Sequence, residues 1–171
     1  MKLKRSLIAL AAGAALSLPA VASAQNIGHG RNFGIGLVAG YPGFGFSMNI
    51  FLNNNMSLQI DPQLFAWKGD FWLGGRVDLL FYPGRPIVSK PAFDLRWYVG
   101  PGLGIGFNFD RSYLSLVPEV PVGIGFHFRR VPIDLMFEAV PQLWIATSSN
   151  RGGHDGLFFN VTGAVHARYY F

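Results

Sequence analysis

From Leu157 to the end of the chain, the odd positions read Leu157, Phe159, Val161, Gly163, Val165, Ala167, Tyr169 and Phe171. The even positions include Asn160, Thr162, His166 and Arg168. A helix brings residues three and four apart onto one face, whereas an extended strand sends successive side chains to opposite faces. Period two held over fifteen residues therefore predicts a strand with one apolar and one polar face. Such a strand is not stable alone, because its apolar face has to meet either a core or lipid.

The pattern recurs upstream. "VPIDLMFEAVPQLWI" sets Val131, Ile133, Leu135, Phe137, Leu143 and Ile145 against Asp134, Glu138 and Gln142. "AFDLRWYVGPGLGIGFNF" opposes Phe93, Leu95, Trp97, Val99, Leu103, Ile105 and Phe107 to Asp94, Arg96, Tyr98 and four glycines. "LSLVPEVPVGIGFHF" carries Glu119 and His127 on its polar side, continuing to Arg129. "FWLGGRVDLLF" carries Arg76 and Asp78, and "MSLQIDPQLF" carries Gln59, Asp61 and Gln63. With "NFGIGLVAG" and "GFGFSMNI" these make eight segments, over about 32–41, 43–53, 55–67, 70–82, 92–109, 112–129, 131–146 and 155–171. Turn residues separate them, including Tyr41-Pro42-Gly43, Asn53-Asn54-Asn55, Lys68-Gly69-Asp70, "PGRPIVSKP" and "TSSNRGGHD". The succession predicts an all-β, eight-stranded antiparallel up-and-down β-barrel without an internal linker.

The amino terminus explains where such a chain goes. "MKLKRSLIALAAGAALSLPAVASA" has a basic start, an apolar run from Leu7 to Leu18, and Ala22-Ser23-Ala24. That is the pattern of a secretory signal peptide, predicted to be cleaved after Ala24 to leave a domain over 25–171. Three of the fourteen Lys and Arg lie in this leader, so eleven face nine acids in the mature chain, a formal charge of +2. The basic balance of the full chain is thus no argument for nucleic acid. Cysteine is absent, which excludes a small disulfide-stapled secreted scaffold.

The acids decide which face points inward. Six of nine, Asp61, Asp78, Asp94, Glu119, Asp134 and Glu138, fall mid-segment on the polar face with Arg76, Arg96, Arg129, Arg168, His127 and His166. A soluble lipid-carrying barrel would turn this face to solvent. A membrane barrel turns it inward and its apolar face to lipid. The weight of Phe, Leu, Ile and Trp on the apolar face, with glycines opposite, favours the membrane arrangement. Eight strands leave an interior just wide enough for side chains. Enclosed charges have to be paired, because an unpaired buried ion costs several kcal/mol. The twelve charged residues are therefore expected to form a network that fills the lumen. Tyr41, Trp67, Tyr82, Trp144, Tyr169 and Tyr170 are expected at the membrane interfaces. Pro62, Pro101, Pro118, Pro121 and Pro141 conflict with a closed ladder and imply bulges or strand ends. Val165, Ala167, Tyr169 and Phe171 resemble the C-terminal assembly signal of outer-membrane barrels.

The stretches "GIGLVAGYPGFGFSMNIFLNNNMSLQI", "WYVGPGLGIGF", "VPEVPVGIGFHFRRVPIDLMFEAVPQL" and "GAVHARYYF" cover nearly all of the mature chain. Through them it resembles a family of small outer-membrane β-barrels classed as domain of unknown function 3996, related in shape to OmpA- and OmpX-type barrels. The resemblance implies an eight-stranded barrel in the outer membrane and supplies no activity or site residues.

No catalytic constellation is expected. Glu119 and His127 share a face, but the nearest serines, Ser112 and Ser115, lie at the other end of that segment. His166 with Glu138 or Asp134 reads as a structural ion pair. His29 and His154 fall in loops without ligand spacing, so no metal and no other cofactor is expected. "GLGIGF" lies inside a strand and is no nucleotide loop. The expected partners are outer-membrane lipids and the assembly machinery, with the protein a monomer and no role for nucleic acid. A lipid-modifying enzyme and a narrow channel are the alternatives. If Gln25 begins in the periplasm, the long "PGRPIVSKP" connection lies on the periplasmic side, opposite to the usual placement of long loops.

Overall fold

The computed structural model describes residues 31–40, 43–67, 70–108, 113–148 and 156–171. The expected signal peptide, His29, Tyr41, His154 and most of "TSSNRGGHD" lie outside them, as do the side chains of Trp67 and Asp70. All described elements are strands: β1 (Phe33–Gly40), β2 (Gly43–Asn53), β3 (Met56–Trp67), β4 (Asp70–Phe81), β5 (Val88–Ser89), β6 (Phe93–Val99), β7 (Gly102–Asn108), β8 (Tyr113–Glu119), β9 (Val122–Phe128), β10 (Ile133–Ser148) and β11 (Gly156–Tyr170).

The pairings are antiparallel and close into a ring. β1 to β4 pair in succession, β4 pairs with β7, β7 with β8 and β6 with β9, and both β8 and β9 pair with β10. β10 pairs with β11, which returns to β1 through Gly34↔Tyr170 and Gly40↔Ala164. β5 lies against β6 alone.

Two of the eight expected strands are interrupted. The pairings Val99↔Val122 and Gly102↔Glu119 keep one register across the gap, so β6–β7 and β8–β9 each follow a single path, broken at Gly100-Pro101 and Val120-Pro121. Proline has no N–H to give the ladder, but its carbonyl still accepts. Leu79 donates to the Pro101 carbonyl at 3.0 Å, Gly100 to Pro121 at 3.1 Å, and Val120 to Pro141 at 3.0 Å. The ladder therefore continues past these prolines, while Pro62, Pro118 and Pro141 stay inside β3, β8 and β10. The "PGRPIVSKP" connection also departs from expectation. It contains β5, and Ile87 and Lys90 donate to Leu95 and Phe93, which lays the segment along β6.

The ring inverts the usual distribution of polarity. Among the described residues, buried polar side chains outnumber buried apolar ones seventeen to ten. Phe44, Phe46 and Phe159 are 65%, 61% and 68% exposed, whereas Asp61, Asp134 and His166 are 0% exposed. Along β11 the odd residues from Leu157 to Tyr169 are exposed and Thr162, His166, Arg168 and Tyr170 are buried. Parity also corrects the expected aromatic girdle. Tyr82 and Tyr170 are even-numbered, point inward and are 1% exposed, and Trp144 is half-buried. Of the described members only Tyr169 faces outward.

Candidate functional site

Inward-facing positions of five strands converge on two arginines. Arg76 on β4 meets Asp61 of β3 at 2.9 Å, Asp78 of its own strand at 3.4 Å and Glu119 of β8 at 3.8 Å. Its Nη2 also donates to Glu138 of β10 and lies 3.2 Å from His166 Nε2 on β11. One guanidinium thus serves four carboxylates, a use of its planar fork of donors that a lysine cannot match. Register explains part of this: Asp61↔Arg76 are direct neighbours, while Glu138 and His166 reach in from elsewhere on the ring.

Arg168 on β11 forms the second centre. It donates to Asp134 at 3.2 Å and to Gln59 at 3.0 Å, and it contacts Met136 Sδ. The Tyr170 hydroxyl donates to Asp134 at 2.6 Å and accepts from Asn49 at 3.1 Å, and His127 Nδ1 lies 3.9 Å from Asp134. Gln59 also donates to Asp78 at 3.3 Å, joining the two centres, and Tyr98 donates to Glu138 at 3.0 Å. Towards the terminal end, Phe51 packs against Tyr82 and Tyr170 with ring centroids 5.8 and 5.6 Å apart. Tyr82 packs against Tyr98 and His127 at 5.6 and 5.9 Å.

Two of the residues expected in this network sit elsewhere. Asp94 and Arg129 pair at 2.7 Å at the terminal rim, with Arg129 exposed because β9 ends at Phe128. Its hydrogen bonds to Asp94 raise the guanidinium pKa above its ordinary value. Arg96 is buried on the inner face beside that rim. The buried set is then Asp61, Asp78, Glu119, Asp134 and Glu138 against Arg76, Arg96 and Arg168, with His127 and His166 among them.

Inward glycines make room for these groups. A Cβ on Gly102 would collide with Asp78 Oδ1 and come 2.9 Å from Glu119 Cγ. On the far side of Arg76 lies a cavity of about 60 Å³ with Arg76, Glu119, Gln63, Gln142 and Trp144 in its lining. Gln142 donates to Glu119 at 2.7 Å and accepts from Trp144 at 3.2 Å.

One grouping was not anticipated from the sequence. Ser47 Oγ lies 3.0 Å from His166 Nδ1, and His166 Nε2 lies 3.0 Å from Glu138. Serine, histidine and carboxylate in hydrogen-bond succession is the connectivity of a nucleophile, its base and an orienting acid. Ser47 and His166 are both 0% exposed, however, and neither lines the cavity. No carbonyl substrate reaches Ser47 Oγ in this arrangement. The signal that could have revealed it was parity, since Ser47 and Asn49 share the inward face of β2. Asp61, Glu138 and His166 also bring three ligand-type atoms within 4.8 Å of one another. Arg76 occupies that space and already engages all three side chains, so the donor set suits a guanidinium and not a metal.

Comparison with known proteins finds no matching family model, no matching curated protein and no matching solved structure.

Proposed function

We propose that this chain is an exported integral protein of the outer membrane: an eight-stranded, up-and-down transmembrane β-barrel whose lumen is plugged by a charged network. The observation that carries this reading is the inverted polarity, with phenylalanines more than half exposed outside and aspartates fully buried inside. In water such a surface favours aggregation, whereas in a bilayer it is the low-energy face. Ring closure supports the same reading, because backbone groups in lipid need partners and a closed ladder leaves no free edge. The role is structural, the protein is a monomer without a cofactor, and its partners are membrane lipid and the machinery that recognises the C-terminal strand. Export uses the leader over 1–24.

The test is outer-membrane fractionation combined with electrophoresis of unheated and boiled samples. A folded barrel migrates differently before and after boiling and stays with the membrane, whereas release without detergent contradicts the assignment. The cavity beyond Arg76 favours a narrow channel as the second reading. A stable open conductance in planar bilayers would establish it over the plugged lumen.

A further inference from the structure

The rim at which the described chain both begins and ends is basic. Arg31, Arg85, Lys90, Arg129 and Arg130 are all exposed there. Arg31 precedes β1 and donates to the Tyr170 carbonyl at the end of β11, 2.9 Å away. Arg85 and Lys90 flank β5, which pairs with the start of β6, and Arg129 and Arg130 lie between β9 and β10. Phe93↔Phe128 and Ile133↔Tyr169 place these segments side by side. Among the described residues the acid at this rim is Asp94, and Arg129 takes it at 2.7 Å. Arg31, Arg85, Lys90 and Arg130 are left as a net positive arc.

The arc borders an apolar belt. Phe33, Trp97, Tyr169 and Phe171 are exposed on the outer wall, as are Ile87 and Val131 beside the cations. At about 3.3 Å per strand residue, Arg31 and Arg130 stand two residues beyond Phe33 and Phe128, and Lys90 lies level with Phe93, whose carbonyl accepts its N–H. That is the depth at which a lipid phosphate lies over its acyl chains. We infer that this rim is a binding surface for anionic glycerophospholipid, holding headgroup phosphates with Arg31, Arg85, Lys90 and Arg130 while the aromatic belt packs the acyl chains. The inference rests on the membrane reading above and names the lipid class the barrel selects.

The experiment uses the exported protein, extracted in neutral detergent and reconstituted in bilayers of brominated phosphatidylcholine. Trp97 is the reporter, its component of the fluorescence being the part lost in Trp97→Phe. Added phosphatidylglycerol is expected to displace the quencher in preference to unbrominated phosphatidylcholine. The triple variant Arg85→Gln, Lys90→Gln, Arg130→Gln is expected to lower that preference by on the order of a hundredfold at low ionic strength. Its heat-modifiable migration should stay that of the wild type, since all three residues are exposed. Equal displacement by both lipids, or a preference the triple variant keeps, overturns the inference and leaves the barrel intact. Stronger displacement by lipid A, lost in the triple variant, overturns the choice of glycerophospholipid. Absence of quenching by any brominated lipid overturns the membrane reading itself.

Discussion

Arg76 on β4 engages Glu138 on β10, 62 residues later in the chain, across the interior that the ring encloses. The same guanidinium is within 4 Å of Asp61, Asp78 and Glu119. Removing it leaves four carboxylates without their shared cation. Arg76→Met is expected to destabilise the folded protein by about 3–5 kcal/mol, read as a fall in the denaturant midpoint in detergent. Glu138→Gln added to it should recover part of the loss. The exposed pair gives the contrast, since Arg129→Ala should leave the midpoint where it is. An Arg76→Met midpoint equal to that of the wild type would contradict the network's role.

Ser47 and His166 are expected to contribute a hydrogen bond and no catalysis. Ser47→Ala should cost about 1 kcal/mol of stability. A fluorophosphonate probe should leave the wild type unlabelled, because the hydroxyl is fully buried. Labelling of the wild type that disappears in Ser47→Ala would restore the lipid-modifying enzyme as the better reading.

Gly102 and Gly163 separate the two faces by one added methyl group. At Gly102 it meets the Asp78 and Glu119 side chains, whereas Gly163 is exposed and has its nearest neighbour, the Glu138 carbonyl, at 3.5 Å. Gly102→Ala is expected to destabilise by about 1–3 kcal/mol through overpacking, and Gly163→Ala to be tolerated. Equal midpoints for the two variants would argue against a crowded interior.

How much of this was legible depends on distance along the chain. The alternation of β11 is legible directly, because period two is a local property and burial follows it from Thr162 to Tyr170. The breaks at Gly100-Pro101 and Val120-Pro121 could not be placed, since a proline's cost depends on whether its missing N–H faced a neighbour. The expected girdle fails at Tyr82 and Tyr170 because parity, and not nearness to a strand end, sets the face a side chain takes. Arg129 has inward parity, but β9 stops one residue before it. The Arg76 hub joins β3, β4, β8, β10 and β11, and only the ring's closure and register bring those strands to one place. Ser47 is hidden in the sequence for the same reason, its partner His166 being 119 residues away.

The C-terminal strand separates insertion from stability. Phe171 is 64% exposed and donates its N–H to the Phe33 carbonyl at 2.9 Å, while Arg168 is buried against Asp134. Deleting Phe171 should reduce the amount of protein reaching the outer membrane. Arg168→Ala should instead yield protein that inserts but unfolds at a lower denaturant concentration. If both variants insert and unfold like the wild type, this division of the strand is wrong.

What the outward face of the ring touches can be asked directly of this chain, since it has no cysteine to remove. Single cysteines at Leu37, Phe46, Phe159, Val161 and Val165, each exposed, can carry nitroxide labels in protein reconstituted into bilayers. The measurement is the ratio of collision rates with oxygen, which concentrates in lipid, to those with a water-soluble nickel chelate. A high ratio at all five positions is the predicted result. A ratio favouring the nickel chelate at these positions would place the face in water and contradict the membrane barrel.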